Sequence, residues 1–470
     1  MEPIHLFLSP AQGAGDQTLA SGLDPSALAC VDDADLTRVE LEVGRPQRYC
    51  FSGDPNSLYE QGWAVIVPNG GRGDKLLDLI RPLLDKRAAD MDGEPIGIFR
   101  VPSAMTAREA LEWYDHVWLG NRPDHEIALY IMVLGDFHEV SIDTQRALAT
   151  DRFVGRLAFD NDRDYESYID KLLRWESTQP ADHANALFFV APDETPATVQ
   201  ANRLFMQPLA ARVREMQDRG RFPVGDILEI ADGDPGRAGD RLLAAASGEG
   251  PGVLLSVAHG MGAPRGGWAG HDEQIALQGA LCLGRGEYID GASLGETPFL
   301  PGGMWILHGS FGAGTLDTTG YARWLMNLNS QGQFPGDLDS FMAPLSNRER
   351  PFVAALPSAA LANPDGPLAV IGQVDLSWSH SLQENHRRFS RLLQSASRGD
   401  TAGVTLSQLL DALGAEIHQH WHELHTGALS DDRAALGHCW MLYQARESYV
   451  LLGDPAARLA VAPKKPGRRS

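Results

Sequence analysis

The stretch "MWILHGSFGAGT", Met304–Thr315, decides how this chain folds. Four apolar positions, Met304–Leu307, read as a short buried strand, and a glycine-rich turn follows after His308. Ser310 sits at the break. In open α/β sheets ligands bind beyond the carboxyl ends of the strands, so a polar residue at such a break is placed for chemistry. His308 lies two residues earlier, and alternation along a strand would put it on the same face as Ser310. A structural role is the simpler reading of that histidine.

Working outward, "TRVELEV" (37–43), "WAVIVP" (63–68), "IGIFRV" (96–101) and "IALYIMVLG" (127–135) read as strands. "KLLDLIRPLLDKRAADM" and "AREALEWYDHVW" between them have helical periodicity. A second series holds "ALFFVAP" (186–192), "DILEIA", "GVLLSVAHG", "MWILHGS" and "LAVIGQVDLSW" as strands. The stretch from Thr195 to Gly220 and "GVTLSQLLDALGAEIHQHWHELH" read as helices. The alternation predicts an α/β fold, a mostly parallel sheet flanked by helices in two subdomains. The expected division is 1–180 as a supporting or regulatory part, 181–462 as the part carrying the site, and 463–470 as a basic tail.

One other strand end matters. "VLLSVAHGMG" places His259 before Gly260, and Ser310 follows His259 by 51 residues. A base at one strand end and a nucleophile at a neighbouring one can come within hydrogen-bond reach. The N–H groups of Gly260 and Ser310 would then face a developing oxyanion, and glycine lets the backbone approach a substrate closely.

Composition narrows the classes. The 470 residues carry 40 basic and 62 acidic side chains, a net charge of −22, and 43% are hydrophobic. That balance argues against nucleic-acid or anionic-membrane partners. No apolar run reaches the roughly 18 residues of a membrane span. The start "MEPIHLFLSPAQGAGD" lacks the basic region of a signal peptide, so a cytoplasmic protein is expected. The four cysteines, Cys30, Cys50, Cys282 and Cys439, form no CxxC pair, which fits a reducing compartment.

The order of these motifs resembles caspase-like cysteine peptidases of the gingipain and CHAT type. A strand ending His-Gly, then about fifty residues later a strand ending at the nucleophile, is their spacing. "RFVGRLAFDNDRDYESYIDKLLRWE" (152–176), "LAVIGQVDLSWSHS" (368–381) and "ESYVLLGDPAARL" (447–459) look like further segments of that family. The resemblance implies His259 as general base, an oxyanion hole at Gly260 and Ser310, and a nucleophilic cysteine where this chain has Ser310. A serine hydroxyl is far less acidic than a thiol and usually needs a base backed by a carboxylate. No third member stands out; Asp272 in "GHDEQ" has no tie to His259. The chain as written is therefore expected to cleave peptides very slowly or not at all. It would be an inactivated form of a cysteine endopeptidase or, alternatively, a natural pseudopeptidase that acts as a ligand-sensing or protein-binding scaffold. The resemblance further implies a protein or peptide substrate, gating by an activating ligand or partner, and a role in bacterial stress or antiviral defence. This chemistry requires no metal or organic cofactor.

In that family the pocket for the residue before the scissile bond is walled by the strand after the nucleophile. Asp375 and Trp378 stand there, an acid and an aromatic that would favour a basic residue. Other motifs read blandly. "VPNGGRGDK" (67–75) lacks phosphate-loop spacing, and its RGD is a chance triplet. His418 and His422 are spaced i, i+4 without the HExxH glutamate, which fits a polar helix face. Cys282 is expected as a small buried hydrophobe.

Overall fold

The protein is described from a computed structural model covering residues 2–10, 19, 21–44, 53–120, 127–230, 237–264, 267–295, 297–343, 345, 350–382, 386–426 and 432–462. The basic tail and Cys50 lie outside the described residues. Its strands are β1 (Leu8–Pro10), β2 (Trp63–Pro68), β3 (Gly97–Val101), β4 (Tyr130–Leu134), β5 (Phe153–Leu157), β6 (Ala184–Val190), β7 (Val224–Ile230) and β8 (Gly252–Val257). They continue with β9 (His259–Gly262), β10 (Leu281–Gly284), β11 (Glu287–Ile289), β12 (Met304–His308), β13 (Gly314–Thr315), β14 (Phe352–Val353), β15 (Ala369–Gln373) and β16 (Tyr449–Gly453).

Ten of these form one sheet in the order β3-β2-β4-β5-β16-β15-β12-β8-β6-β7. The central strands are apolar along their whole length because both faces are covered. Alternate residues go to different cores. Val253, Leu255, Met304, Ile306 and Ile371 join one cluster, while Leu254, Trp305, Leu307 and Val370 join the other. Every pairing in the sheet is parallel except β15 with β16. The sheet is thus two parallel blocks of opposite direction, β3-β2-β4-β5-β16 and β15-β12-β8-β6-β7. A smaller sheet, β1-β9-β10-β11, sits beside the second block, and β13 pairs with β14.

One expected strand is a helix. Residues 37–43 belong to the helix Asp33–Gly44. Leu36 and Val39 are buried and Val43 packs beside them, at helical spacing, while Leu41 is 63% exposed. Acidic Asp33 and Asp35 in the first turn favour that helix start. The run 368–378 is also shorter as a strand than it reads: pairing stops at Gln373, and the residues beyond turn toward the site.

The "GDP" turn after β16 ties that strand to β2 and to the helix Arg81–Asp90. Asp454 is wholly buried and accepts from Arg87 Nε at 3.0 Å and Nη2 at 2.8 Å, and from the indole N–H of Trp63 at 3.1 Å. Arg87, 2% exposed, also reaches Asp90 and Glu176. Burial disfavours the guanidinium charge, but the Asp454 and Glu176 carboxylates outweigh it and raise the Arg87 pKa. Breaking such a buried pair from one side leaves a charge without compensation. Asp454→Ala is therefore expected to destabilise the fold by about 3–5 kcal/mol, read as a lower urea midpoint at unchanged m-value.

Candidate active site

Four neighbouring strands, β15, β12, β8 and β6, end at one edge of the second block. Just beyond those ends stand Ser377, Ser310, His259 and Asp193. Parallel pairing brings them together, although they span residues 193 to 377 in sequence.

The imidazole Nδ1 of His259 lies 2.9 Å from Asp193 Oδ2. The other oxygen, Oδ1, accepts from the Thr195 N–H at 3.0 Å and the Thr195 hydroxyl at 2.9 Å, and from the Thr198 hydroxyl. Burial pushes the Asp193 carboxyl up, but its bond to His259 and these donors together bring it below the usual carboxylate range. His259 thus has a fixed, ionised carboxylate behind it, the partner that the sequence did not reveal. The sign was present: "ALFFVAPDETP" ends a strand in an acid, like the other site segments. Asp272 is in the helix His271–Leu277, and the carboxylate bonded to His259 is Asp193.

Ser310 is fully buried, and its hydroxyl accepts the Ser377 N–H at 2.9 Å. Among the described residues no hydrogen bond joins Ser310 to His259. The turn is tight: Phe311 has φ 59°, a left-handed conformation unusual for a side chain of that size. Glycine at 260 is a steric requirement, since a Cβ there would lie 1.8 Å from the Ser310 carbonyl oxygen.

The N–H groups of Gly260 and Ser310 converge on one oxygen, the carbonyl of Phe7, at 3.0 and 3.1 Å. The N-terminal segment crosses the site in extended form. Phe7 N–H donates to the Ser377 carbonyl at 2.8 Å, and Ser379 N–H donates to the His5 carbonyl at 2.7 Å. Past Phe7 the chain becomes β1, paired with β9.

Of the remaining predicted residues, Trp378 meets the N-terminal segment through a backbone bridge to Leu6, while the side chains of Asp375 and Trp378 are buried in other contacts. Asp375 was expected to wall a pocket for a basic side chain. Its buried carboxylate instead accepts from the Thr319 hydroxyl at 2.5 Å, the Gly320 N–H at 2.7 Å and the Leu376 N–H at 2.7 Å. Trp378 packs its ring against Tyr321 and Trp324. The rings that reach Phe7 are those of His259, tilted at 5.8 Å, and His308, edge-on at 5.2 Å. The His308 Nδ1 meets the Tyr449 hydroxyl at 3.0 Å and its Nε2 the Ser377 hydroxyl at 2.9 Å. Burial holds its pKa down to about 3, so the ring is neutral. Burial also pushes the Cys282 thiol up to about 12, in keeping with an inert cysteine. The histidines of the helix Ala402–Thr426 are expected as a polar face, and one of them, His420, lies beside Glu416 and His438. Glu416, His420 and His438 offer ligand atoms within 4.8 Å of one another, and Arg388 already pairs with Glu416.

No protein-family profile matches the chain, and no curated protein matches it. Solved structures do. A structure titled "Structure of Protease" is 14% identical, covering 86% of this chain and 80% of its own, with a TM-score of 0.49. The Arg-specific cysteine proteinase gingipain R is 10% identical over 87% of this chain and 80% of its own, at 0.43. A complex of the pro- and mature domains of RgpB from Porphyromonas gingivalis is 12% identical over 85% and 80%, at 0.45. No helix among the described residues is long and apolar enough to cross a membrane.

Two outcomes follow from this geometry. Gly260→Ala is expected to cost about 1–3 kcal/mol, because the backbone must move to admit the methyl group; urea unfolding measures it. His308 and His380 both sit near pKa 3 in the fold against 6.5 in the free side chain. Their stabilising effect is full above pH 6.5 and is lost as pH falls from there toward 3, on the order of 1 kcal/mol per pH unit for each ring. His308→Gln should flatten the slope of unfolding free energy between pH 6.5 and 4.5.

Proposed function

We propose that this chain is built as a peptide-bond hydrolase of the caspase-like kind, with residue 310 as nucleophile, His259 as general base and Asp193 orienting His259. The observation that carries this reading is a peptide carbonyl oxygen held by the N–H groups of Gly260 and Ser310 beside the His259–Asp193 pair. Two backbone donors aimed at one carbonyl oxygen will bind more tightly once that oxygen gains negative charge. Attack by the residue 310 side chain would form the tetrahedral centre while His259 takes the departing proton. Return of that proton to the amine nitrogen would break the C–N bond and leave an acyl-enzyme. Water, deprotonated by His259, would then release the acid and restore the side chain. Residues 181–462 carry every group named here, and we take residues 1–180 as the supporting part.

With serine at 310 we propose slow turnover. The hydroxyl is bonded to the Ser377 N–H, and the cleft is already filled by residues 4–10. Those same two facts favour the second reading, a pseudopeptidase that holds a peptide without cutting it.

Ser310→Cys decides between them. Under the hydrolase reading it raises cleavage of a peptide panel by at least about a hundredfold, and His259→Ala in that background abolishes the gain. No cleavage of any peptide by the Ser310→Cys chain overturns the hydrolase reading. Asp193→Asn in the Ser310→Cys background should lower kcat/KM by about tenfold or more, with KM little changed.

A further inference from the structure

We infer that residues 4–8, "IHLFL", occupy this site as a peptide substrate does, and that the site selects a large aromatic side chain at the position Phe7 fills. This rests on the reading of the site as a peptide-binding hydrolase centre, and it names the substrate class and the segment that blocks it.

The backbone geometry comes first. Residues 5–7 run antiparallel to 377–379: Phe7 N–H to the Ser377 carbonyl, Ser379 N–H to the His5 carbonyl, and a bridge between Leu6 and Trp378. The His5 N–H adds a bond to the Ser379 hydroxyl at 2.9 Å. Strand addition of this kind is a general mode of peptide recognition, with main-chain bonds for affinity and side-chain pockets for specificity. The pattern ends at Phe7, whose carbonyl oxygen lies between the Gly260 and Ser310 donors. The peptide bond presented to the site is therefore Phe7–Leu8.

The pocket comes next. Phe7 is fully buried, its ring tilted on His259 at 5.8 Å and edge-on to His308 at 5.2 Å. Edge-to-face ring contacts add stabilisation beyond area burial. Both ring nitrogens of His308 are engaged by hydroxyls, which fixes the ring's orientation beside Phe7. A lysine or arginine here would need an open carboxylate, and that of Asp375 is taken up by Thr319, Gly320 and Leu376. A buried charge without such a partner is strongly disfavoured.

The blocking follows from connectivity. A tethered segment competes with free peptide at an effective concentration on the order of millimolar. A peptide from outside binds only in the fraction of molecules whose own strand has left, and its apparent affinity falls by that fraction.

The test uses the full chain and two labelled peptides, Ile-His-Leu-Phe amide and Ile-His-Leu-Arg amide. Phe7→Glu places a charge in the neutral pocket and should expel the strand. By fluorescence anisotropy this variant is expected to bind the Phe peptide at least about tenfold tighter than the parent chain does, and about tenfold tighter than the Arg peptide. Phe7→Ala, a milder change, should shift binding the same way by a few-fold, and it decides the matter if Phe7→Glu does not fold. Binding no tighter than the parent, or preference for the Arg peptide, overturns the inference. Adding Ser310→Cys, with both peptides extended by a leucine amide so that a peptide bond follows Phe or Arg, separates the two readings. Binding of the Phe peptide without cleavage supports the inference and defeats the hydrolase reading. Cleavage after Arg in preference to Phe does the reverse. His308→Gln should narrow the Phe-over-Arg preference several-fold without moving the pH profile of cleavage; an unchanged preference removes His308 from its specificity role.

Discussion

The ten-stranded sheet is joined through a single strand, β16, which pairs parallel with β5 on one side and antiparallel with β15 on the other. That strand comes from residues 449–453, so the two blocks share no continuous sheet until the C-terminal part of the chain is in place. The buried Asp454–Arg87 pair sits one residue past its end and ties this seam strand to the helix Arg81–Asp90 that follows β2. Long-range pairing of this kind carries a high loop-closure cost. The reversal at the seam also sends the carboxyl ends of the two blocks to opposite edges. Only the second block's edge gathers Asp193, His259, Ser310 and Ser377.

That edge meets the N-terminal segment chiefly through its backbone. Gly260 and Ser310 supply N–H donors, and Ser377 supplies both a carbonyl and an N–H. Fixed backbone dipoles need little reorganisation when charge develops, which is why they suit an oxyanion. The requirements are steric rather than chemical. Position 260 must lack a Cβ because the Ser310 carbonyl crowds it, and Phe311 must hold a left-handed φ to turn the chain. Side chains complete the edge: Asp193 bonds His259, and the His308 ring lies against Phe7.

Strand ends were the legible part of this chain. "VLLSVAHGMG" and "MWILHGSFGAGT" mark the strand ends that bring His259 and Ser310 to one edge, because short apolar runs breaking into glycine have few other readings. Asp193 follows the same rule but was hidden by the helix start beside it, where an acid before Thr195 and Pro196 has an ordinary capping role. Asp375 misled for the opposite reason. An acid near an aromatic looks like a cation pocket until the turn donors that consume its charge are located, and those come from Thr319 and Gly320, some 55 residues away. The residues 37–43 alternate like a strand only if Leu41 is counted as buried. Nothing in composition marks residues 4–10 as occupying the site, because occupancy is a long-range pairing with Ser377, Gly260 and Ser310.

The carboxylate behind His259 changes how serine at 310 should be weighed. A cysteine needs a neighbouring imidazole chiefly to hold the thiolate, and the Ser377 N–H aimed at the residue 310 side chain would stabilise that anion further. A serine must lose its proton during attack, so it depends far more on an imidazole whose developing charge is supported. Asp193 gives that support, and a hydroxyl that accepts from Ser377 still has its own proton to donate. The missing element is the contact between Ser310 and His259. In the present state the Phe7 ring lies against His259 and the Phe7 carbonyl lies on the Ser310 N–H. The N-terminal segment thus covers the Ser310 N–H and the His259 ring in this arrangement. A serine or a cysteine at 310 would meet the same barrier to foreign substrate, and would differ in what happens to the Phe7–Leu8 bond itself.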